Sequence, residues 1–325
     1  MQGREYFSQA NTNIFKEKQK EIILNLALEA DNNPNLKIEI SGHYTHFFMI
    51  KSPLRYPGGK SRAIKKISEY LPETFTQFRE PLVGGGSVFI YLKQKFPKLK
   101  IWINDLNREL FLFWHFAQSD LSKLVFEVRH IKEHHKNGRL LFSELTSVDV
   151  NTLSDLDRAV RFFVLNRITF SGTVESGGFS LEAFHKRFTN SSIERLEKLE
   201  HILTADVKIT NLDYRQLLHG DEKNVFIFLD PPYVKAEKSK LYGKRGDLHT
   251  GFDHIGLAES LKKCPHKWLI TYDDAPQNHE NFTWTNINKW ELQYGMNNYK
   301  QKKADIGKEL FISNNQVSLN EENRI

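Results

Sequence analysis

Residues 226–229, Phe-Ile-Phe-Leu, are apolar without a break, and the run stops at Asp230-Pro231-Pro232-Tyr233. A run without polar alternation suits a strand buried on both faces, as in a sheet covered by helices on either side. Proline lacks a ladder donor and holds the residue before it extended, so the strand ends there with Asp230 at its carboxyl edge. Residues 101–104 before Asp105, 207–210, and 267–272 repeat the strand pattern, and 290–294 with 309–313 supply a closing pair. Helical spacing appears at 61–71, with Ile64, Ile67 and Leu71 on one face, at 88–92, and at 254–263. The alternation of strands with helices predicts an α/β fold, which places ligands at the carboxyl edge of its sheet.

From 106 to about 198 the pattern is mainly helical: 110–116 is strongly apolar, 121–135 mixed, and 155–163 amphipathic. Residues 173–180, containing Gly177-Gly178, read as an exposed hairpin. This block interrupts the strands, so the expected organisation is a sheet domain built from 51–118 and 199–313 with a helical insert at 119–198. Residues 1–50 form an extension in which 13–30, with Ile14, Ile22, Ile23 and Leu26 among charges, predicts an amphipathic helix and 36–40 a short strand. The tail from 314 to 325 is expected to be disordered.

Composition narrows the partners. Lys+Arg of 46 against Asp+Glu of 40 gives a formal charge of +6, which favours a polyanion. Cys264 is the one cysteine, which excludes an intrachain disulfide and argues against a structural zinc site. The sequence has no apolar run long enough to span a membrane and no signal-peptide core, so a soluble protein of a reducing compartment is expected. His130 and His134, four apart with Glu133 between them, imitate a metal-binding helix face; their charge-rich setting and the lack of a third ligand read as a solvated face, and no metal is expected.

The chemistry concentrates at three turns. At the first, Asp230, the prolyl carbonyls and the Tyr233 ring suit work on an exocyclic amine of a nucleobase. Such an amine is a poor nucleophile because its lone pair is delocalised. Asp230 can accept one N–H and the Pro231 carbonyl the other, which favours tetrahedral nitrogen and stabilises the charge that develops as it attacks a methyl donor. Tyr233 offers a face on which an extruded base stacks. A plain turn after a core strand also favours Asp and Pro. At the second, Tyr56-Pro57-Gly58-Gly59-Lys60 precedes a helix, a setting for an anion; a P-loop reading fails because its first glycine would fall at Leu54. At the third, Glu80-Pro81-Leu82-Val83-Gly84-Gly85-Gly86-Ser87 lets the backbone approach a ligand, and Asp105, some 20 residues on at a strand end, is placed for ribose hydroxyls. Beside the proposed reaction site, the segment after Tyr233 carries Lys235, Lys238, Lys240, Tyr242, Lys244 and Arg245, which suits a nucleic-acid backbone or an ordinary charged loop.

With these pieces in order, 52–313 resembles the Dam-type (D12 class) DNA adenine-N6 methyltransferases. Tyr56 to Lys60 is similar to their N-terminal cofactor motif, Glu80 to Phe89 to their Glu-Pro-Phe-x-Gly-x-Gly-Ser-x-Phe loop with Leu82 for Phe, Asp105 and Asn107 to their Asp-x-Asn, and Asp230 to Tyr233 to their catalytic Asp-Pro-Pro-Tyr. The resemblance implies S-adenosylmethionine as cofactor, duplex DNA as substrate, and an α/β fold with a Rossmann-like mixed sheet whose helical insert is the target-recognition domain. Tyr56, Lys60, Asp105 and Asp230 would lie near the cofactor. So would Glu80, Pro81, Leu82, Gly84, Gly86, Ser87 and Asp213. Asp230, Pro231, Pro232 and Tyr233 would be catalytic. Leu165-Asn166-Arg167 matches the insert's Leu-Asn-Arg and, with Phe170 and Ser171, implies DNA contacts. Where enzymes of GATC specificity carry Tyr-Asn-Gly and then an arginine, this chain has Phe170-Ser171-Gly172 and then Thr173-Val174-Glu175, and the missing guanine reader argues against GATC. The further expectations are a monomer in the cytoplasm, associated with DNA, that serves restriction-modification with a cognate restriction endonuclease, a phage, or epigenetic marking of a host genome. The rival readings are methylation of cytosine N4, against which Asp230 speaks because those enzymes more often place Ser before Pro-Pro-Tyr, and a DNA-binding relative without transfer.

Overall fold

The computed structural model describes residues 49–174, 176–234, 251–293 and 306–315. Its centre is β4 (Val225–Leu229), every residue of which is buried. Side chains alternate across the pleat, so Phe226 and Phe228 join the core on one face of the sheet while Val225, Ile227 and Leu229 join the core on the other. β4 lies between β1 (Gln77–Glu80) and β5 (Lys267–Asp273), parallel to both. β2 (Lys100–Asn104) and β3 (Val207–Thr210) extend the parallel block beyond β1. β6 (Asn286–Gln293) and β7 (Ile306–Ser313) close the other side, giving seven strands in the order β3-β2-β1-β4-β5-β7-β6 with β7 antiparallel to both neighbours. The expected Rossmann-like α/β sheet is present.

The direction of strand order reverses between β1 and β4, and the crevice at such a point opens at the carboxyl ends of the strands. Helices α1 (Ile64–Ser68) and α2 (Ser87–Lys95) pack with one another on the sheet. The helix expected over 61–71 is instead a 3-10 turn, Lys60–Arg62, followed by the short α1. β1 carries no strand pattern in the sequence, because Gln77, Arg79 and Glu80 are polar; Arg79 is nonetheless fully buried, donating to the carbonyls of Leu217 (2.9 Å) and His219 (2.6 Å).

Between β2 and β3 run α3 (Arg108–Ser119), α4 (Leu121–His134), α5 (Gly138–Ser147), α6 (Asp155–Ile168), α7 (Leu181–Arg187) and α8 (Asn190–Glu197). Their starts follow from short polar caps: Asn107, Asp120, Asn137, Ser154 and Ser180 each accept first-turn N–H groups, and Thr189 with Ser192 forms a capping box. α6 departs from the amphipathic reading. It continues past 163 to Ile168, and 159–168 are all buried, because α3, α4, α5 and α7 surround it. The expected hairpin at 173–180 reduces to one antiparallel bridge, Thr169 with Phe179. Beyond β3, α9 (His254–Lys262) is capped by Asp253, and α10 (Pro276–Asn281) follows β5. Asn314, read from sequence as the start of a disordered tail, is held: its side chain accepts from Trp268 N–H (2.9 Å) and donates to the His266 carbonyl (2.8 Å).

The expected helix at 13–30 and strand at 36–40 lie outside the described residues, as do the basic loop residues 235–245 and the last ten residues of the tail. Among the described residues no helix is long and apolar enough to cross a membrane, and no three His, Cys, Asp or Glu side chains are grouped to hold a metal.

Candidate active site

Asp230 leaves the end of β4 at the carboxyl edge of the sheet. Lys60 Nζ bridges its carboxylate, 2.8 Å from Oδ2 and 2.7 Å from Oδ1, and also donates to the Gly58 carbonyl at 2.9 Å. Thr271 Oγ1, from the adjacent β5, donates to Oδ1 at 2.8 Å. The ammonium is buried, with only 3% of its side chain exposed, a position tolerable only with a charged partner. The anion expected beside this glycine turn is therefore Asp230 itself. Lys60 Nζ lies 5.1 Å from the Tyr233 ring centroid, and the loop behind is pinned where Val234 N–H donates to Asp273 Oδ1 at 3.0 Å.

The glycine turn after β1 works differently from the sequence reading. Gly84 and Gly86 have φ of +47° and +68°, conformations that side chains resist. A Cβ on Gly84 would meet the Tyr56 ring at 2.7 Å, one on Gly85 would meet Tyr56 Cβ at 2.7 Å, and one on Gly86 would meet Phe89 at 2.4 Å. The glycines make room for packed aromatic rings of the protein itself. The turn is fastened through Asp105, whose Oδ2 accepts Gly84 N–H and whose Oδ1 accepts Asn107 N–H, both at 3.0 Å. Burial pushes the Asp105 carboxyl up to about 6, against the pull of these backbone donors. Glu80 accepts Phe89 N–H at 3.0 Å, and burial holds its carboxyl well above the usual range, reinforced by Asp230 and Asp105.

One cavity of about 580 Å³ joins the turns. It is lined by Tyr56, Lys60, Glu80, Leu82, Gly84, Gly86, Ser87, Asp105, Asp213, Asp230, Pro231, Pro232 and Tyr233, so that nearly every residue singled out for catalysis or cofactor from sequence meets there. Pro81 does not line it; its carbonyl accepts from the Asn104 side chain at 3.0 Å and fastens the turn to β2. Leu106, Tyr214, Arg215, Phe252 and Asp253 also form the wall. Arg215 reaches Asp213 at 3.0 Å and Asp253 at 3.5 Å, and the rings of Tyr214 and Phe252 lie 5.8 Å apart. Of this part of the wall only Asp213, after β3, was singled out from the sequence, through the family resemblance. Phe252 and Asp253 arrive from a distant segment, and Thr271 sits inside an apolar strand pattern, so nothing local marks them.

The residues singled out for DNA divide. Asn166 and Arg167 are buried, and their polar groups are spent on the protein. Asn166 accepts Arg55 N–H at 2.9 Å and donates to the carbonyls of Arg55 (2.7 Å) and Gly172 (3.0 Å). Arg167 donates to the carbonyls of Arg187 (2.8 Å) and Pro53 (3.0 Å). Direct DNA contact is thus corrected to a clamp that ties 53–55 to the end of α6. The chain then turns outward: Phe170 is 65% exposed, and Ser171 has φ of +54°. Burial, together with the nearby cations Arg55, Arg195 and Arg187, lowers the Arg167 pKa, which marks a strongly positive neighbourhood. Arg187 and Arg195 are exposed.

Comparison with known proteins agrees with this geometry. The family profile described as D12 class N6 adenine-specific DNA methyltransferase matches residues 56–296. The chain is 26% identical over 234 residues to the type II methyltransferase M.MjaIII of Methanocaldococcus jannaschii, an alignment covering 66% of this chain and 80% of that protein. It is 24% identical over 253 residues to the type II methyltransferase M1.LlaDCHI of Lactococcus lactis subsp. cremoris, covering 73% and 86%. It is 24% identical over 225 residues to the type II methyltransferase M.CviBI of Paramecium bursaria Chlorella virus NC1A, covering 68% and 82%. A carboxylate gripped at the sheet edge, a cavity running from it to the glycine turn, and a match over most of the chain lead to one assignment: this protein belongs to the D12 class N6 adenine-specific DNA methyltransferases.

Proposed function

We propose that Asp230 and the Pro231 carbonyl grip the two N6 hydrogens of an adenine turned out of duplex DNA, while Tyr233 stacks on its ring. The observation that carries this reading is the single cavity shared by Asp230, Tyr233 and the Asp105 turn. An ionised carboxylate has about four lone-pair sites. Lys60 and Thr271 engage both oxygens and leave room for an N–H donor. Held this way, the carboxylate cannot swing, and its field meets the positive charge that develops on N6 without reorganisation. Lys60 balances the carboxylate's charge.

S-adenosylmethionine, the methyl donor generally used by methyltransferases, would supply an electrophilic methyl on a sulfonium. The cavity's residues fit it. Asp105 suits ribose hydroxyls, Asp213 and Asp253 add acceptors, and the rings of Tyr214 and Phe252 suit a flat base. The acidic lining suits a cationic centre. Tyr56, Glu80, Leu82, Gly84, Gly86 and Ser87 complete that half of the wall.

For the DNA, exposed Phe170 and half-exposed Ser171 offer a tip that follows Arg167, whose neighbours Arg55, Arg187 and Arg195 are cations, a combination that suits duplex backbones and unstacked bases. By composition the basic residues Lys235, Lys238, Lys240, Lys244 and Arg245 suit contacts to DNA phosphates. We take the enzyme to act as a cytoplasmic monomer; the pairing with a cognate restriction endonuclease is suggested by the relatives' names as type II methyltransferases. The test is Asp230→Ala: the purified variant is expected to bind duplex DNA yet transfer no tritiated methyl, while the wild type yields N6-methyladenine by nucleoside mass spectrometry. Full transfer by the variant, or N4-methylcytosine from the wild type, refutes the reading.

A further inference from the structure

One buried acid at the site has no part in the mechanism so far. Glu309 lies on β7, opposite Asp273 of β5 on one side and Trp290 of β6 on the other. It is 1% exposed, and neither carboxyl oxygen makes a hydrogen bond of normal geometry among the described residues. Two acids opposite each other on neighbouring strands disfavour the sheet, and a buried carboxyl without a formed hydrogen bond disfavours the fold. An amide or apolar side chain would serve that rung of the sheet better.

What Glu309 faces is the reaction centre. Its carboxyl interacts with the Tyr233 phenol and lies in the field of Lys60, Asp230 and Asp273. Asp273 already holds the same loop, by accepting Val234 N–H at 3.0 Å. Two residues along β5, on the same face, Thr271 holds Asp230. Two same-face positions of β5 therefore support the loop, and Glu309 lies across from one of them with its carboxyl toward the Tyr233 phenol.

We propose that Glu309 is a positioning residue for methyl transfer: its carboxyl receives the Tyr233 hydroxyl and so fixes the plane of the ring on which the everted adenine stacks. This deepens the reading of Tyr233 as the stacking ring and rests on it. Burial pushes the Glu309 carboxyl up to about 7, opposed by Lys60 and Tyr233 and reinforced by Asp230 and Asp273, so it sits near its change of charge under assay conditions. The acceptor form is the ionised one, and the hold on the phenol strengthens as pH rises through that value.

The experiment uses the full chain, tritiated S-adenosylmethionine and bulk DNA from a methylation-free host. Glu309→Gln is expected to lower kcat/KM roughly tenfold, the value of one buried hydrogen bond. Its thermal midpoint should equal or exceed that of the wild type. In a Tyr233→Phe background the same change should alter the rate by less than about twofold, because the hydroxyl it acts through is gone. Glu309→Asp should recover part of the loss. A wild-type rate, a lowered midpoint, or an equal loss in both backgrounds overturns the proposal. If Asp230→Ala is inactive while Glu309→Gln matches wild type, this inference alone fails; an active Asp230→Ala overturns the underlying reading instead.

Discussion

If Gly84 is glycine because Tyr56 needs the space, then the two positions must be coupled, and the coupling can be worked out from the coordinates. An added methyl at Gly84 would lie 2.7, 3.1 and 3.2 Å from three carbons of the Tyr56 ring. Comfortable carbon separations are about 3.5–4.0 Å. Overpacking of that kind costs about 1–3 kcal/mol. The left-handed φ of +47° adds about 1–2 kcal/mol for any L side chain. Gly84→Ala should therefore destabilise by about 2–5 kcal/mol in the native background. In a Tyr56→Ala background only the backbone part remains, so the same change should cost about 1–2 kcal/mol. Urea unfolding of the four proteins at constant m-value measures this cycle. Calorimetry with S-adenosylmethionine runs beside it, because the competing view, in which the glycine admits the ligand, predicts lost affinity with intact stability. Additive free energies within about 0.5 kcal/mol would falsify the steric account.

Three further outcomes follow from the site. Thr271→Val keeps the shape and removes the hydrogen bond to Asp230 Oδ1; kcat should fall roughly tenfold with little change in KM, and quenched-flow single turnovers check whether the loss lies in the chemical step. The Asp105 carboxyl is raised to about 6 from 3.8, so cofactor affinity by calorimetry should weaken toward tenfold per pH unit below about 6, and Asp105→Asn should flatten that dependence. The sign for stability is opposite: the fold favours protonated Asp105, so this group's contribution is greatest at low pH and is lost as pH rises through about 6. Arg167→Met frees buried carbonyls of Arg187 and Pro53 and should destabilise by about 2–4 kcal/mol without changing the salt dependence of DNA binding, whereas Arg187→Ala should reduce the slope of log affinity against log salt by about 0.9. Equal slopes in both variants would undo the division between clamp and interface.

The parts of the fold that the sequence discloses are those whose burial is visible in one dimension. β4 is apolar at every position because both of its faces are covered, and β2 turns polar at its last residue, Asn104, followed by Asp105, where the chain reaches the cavity. β1 was illegible for the converse reason: Arg79 is fully buried, donating to the Leu217 and His219 carbonyls and the Glu222 carboxylate, partners about 140 residues away, so its charge misleads a local reading. Asn166 and Arg167 misled in the same way, as polar residues that finish a buried helix by satisfying loose carbonyls. The two catalytic-side turns were legible because proline and glycine act on their own backbone. The cavity wall made by Phe252, Asp253 and Arg215 was not, since it exists only after segments nearly 40 residues apart meet.

β7 occupies the gap between β5 and β6 although it is made after both, and this carries a consequence for synthesis on the ribosome. Until 306–313 emerge, the open edge of β5 has no hydrogen-bonded neighbour on that side, and a nascent chain presents it to other strands. Glu309 reaches the reaction centre only then. A translation product halted after 293 would hold Lys60, Asp230 and Thr271 but lack the strand that braces them, and it should be an aggregation-prone species without methylating capacity.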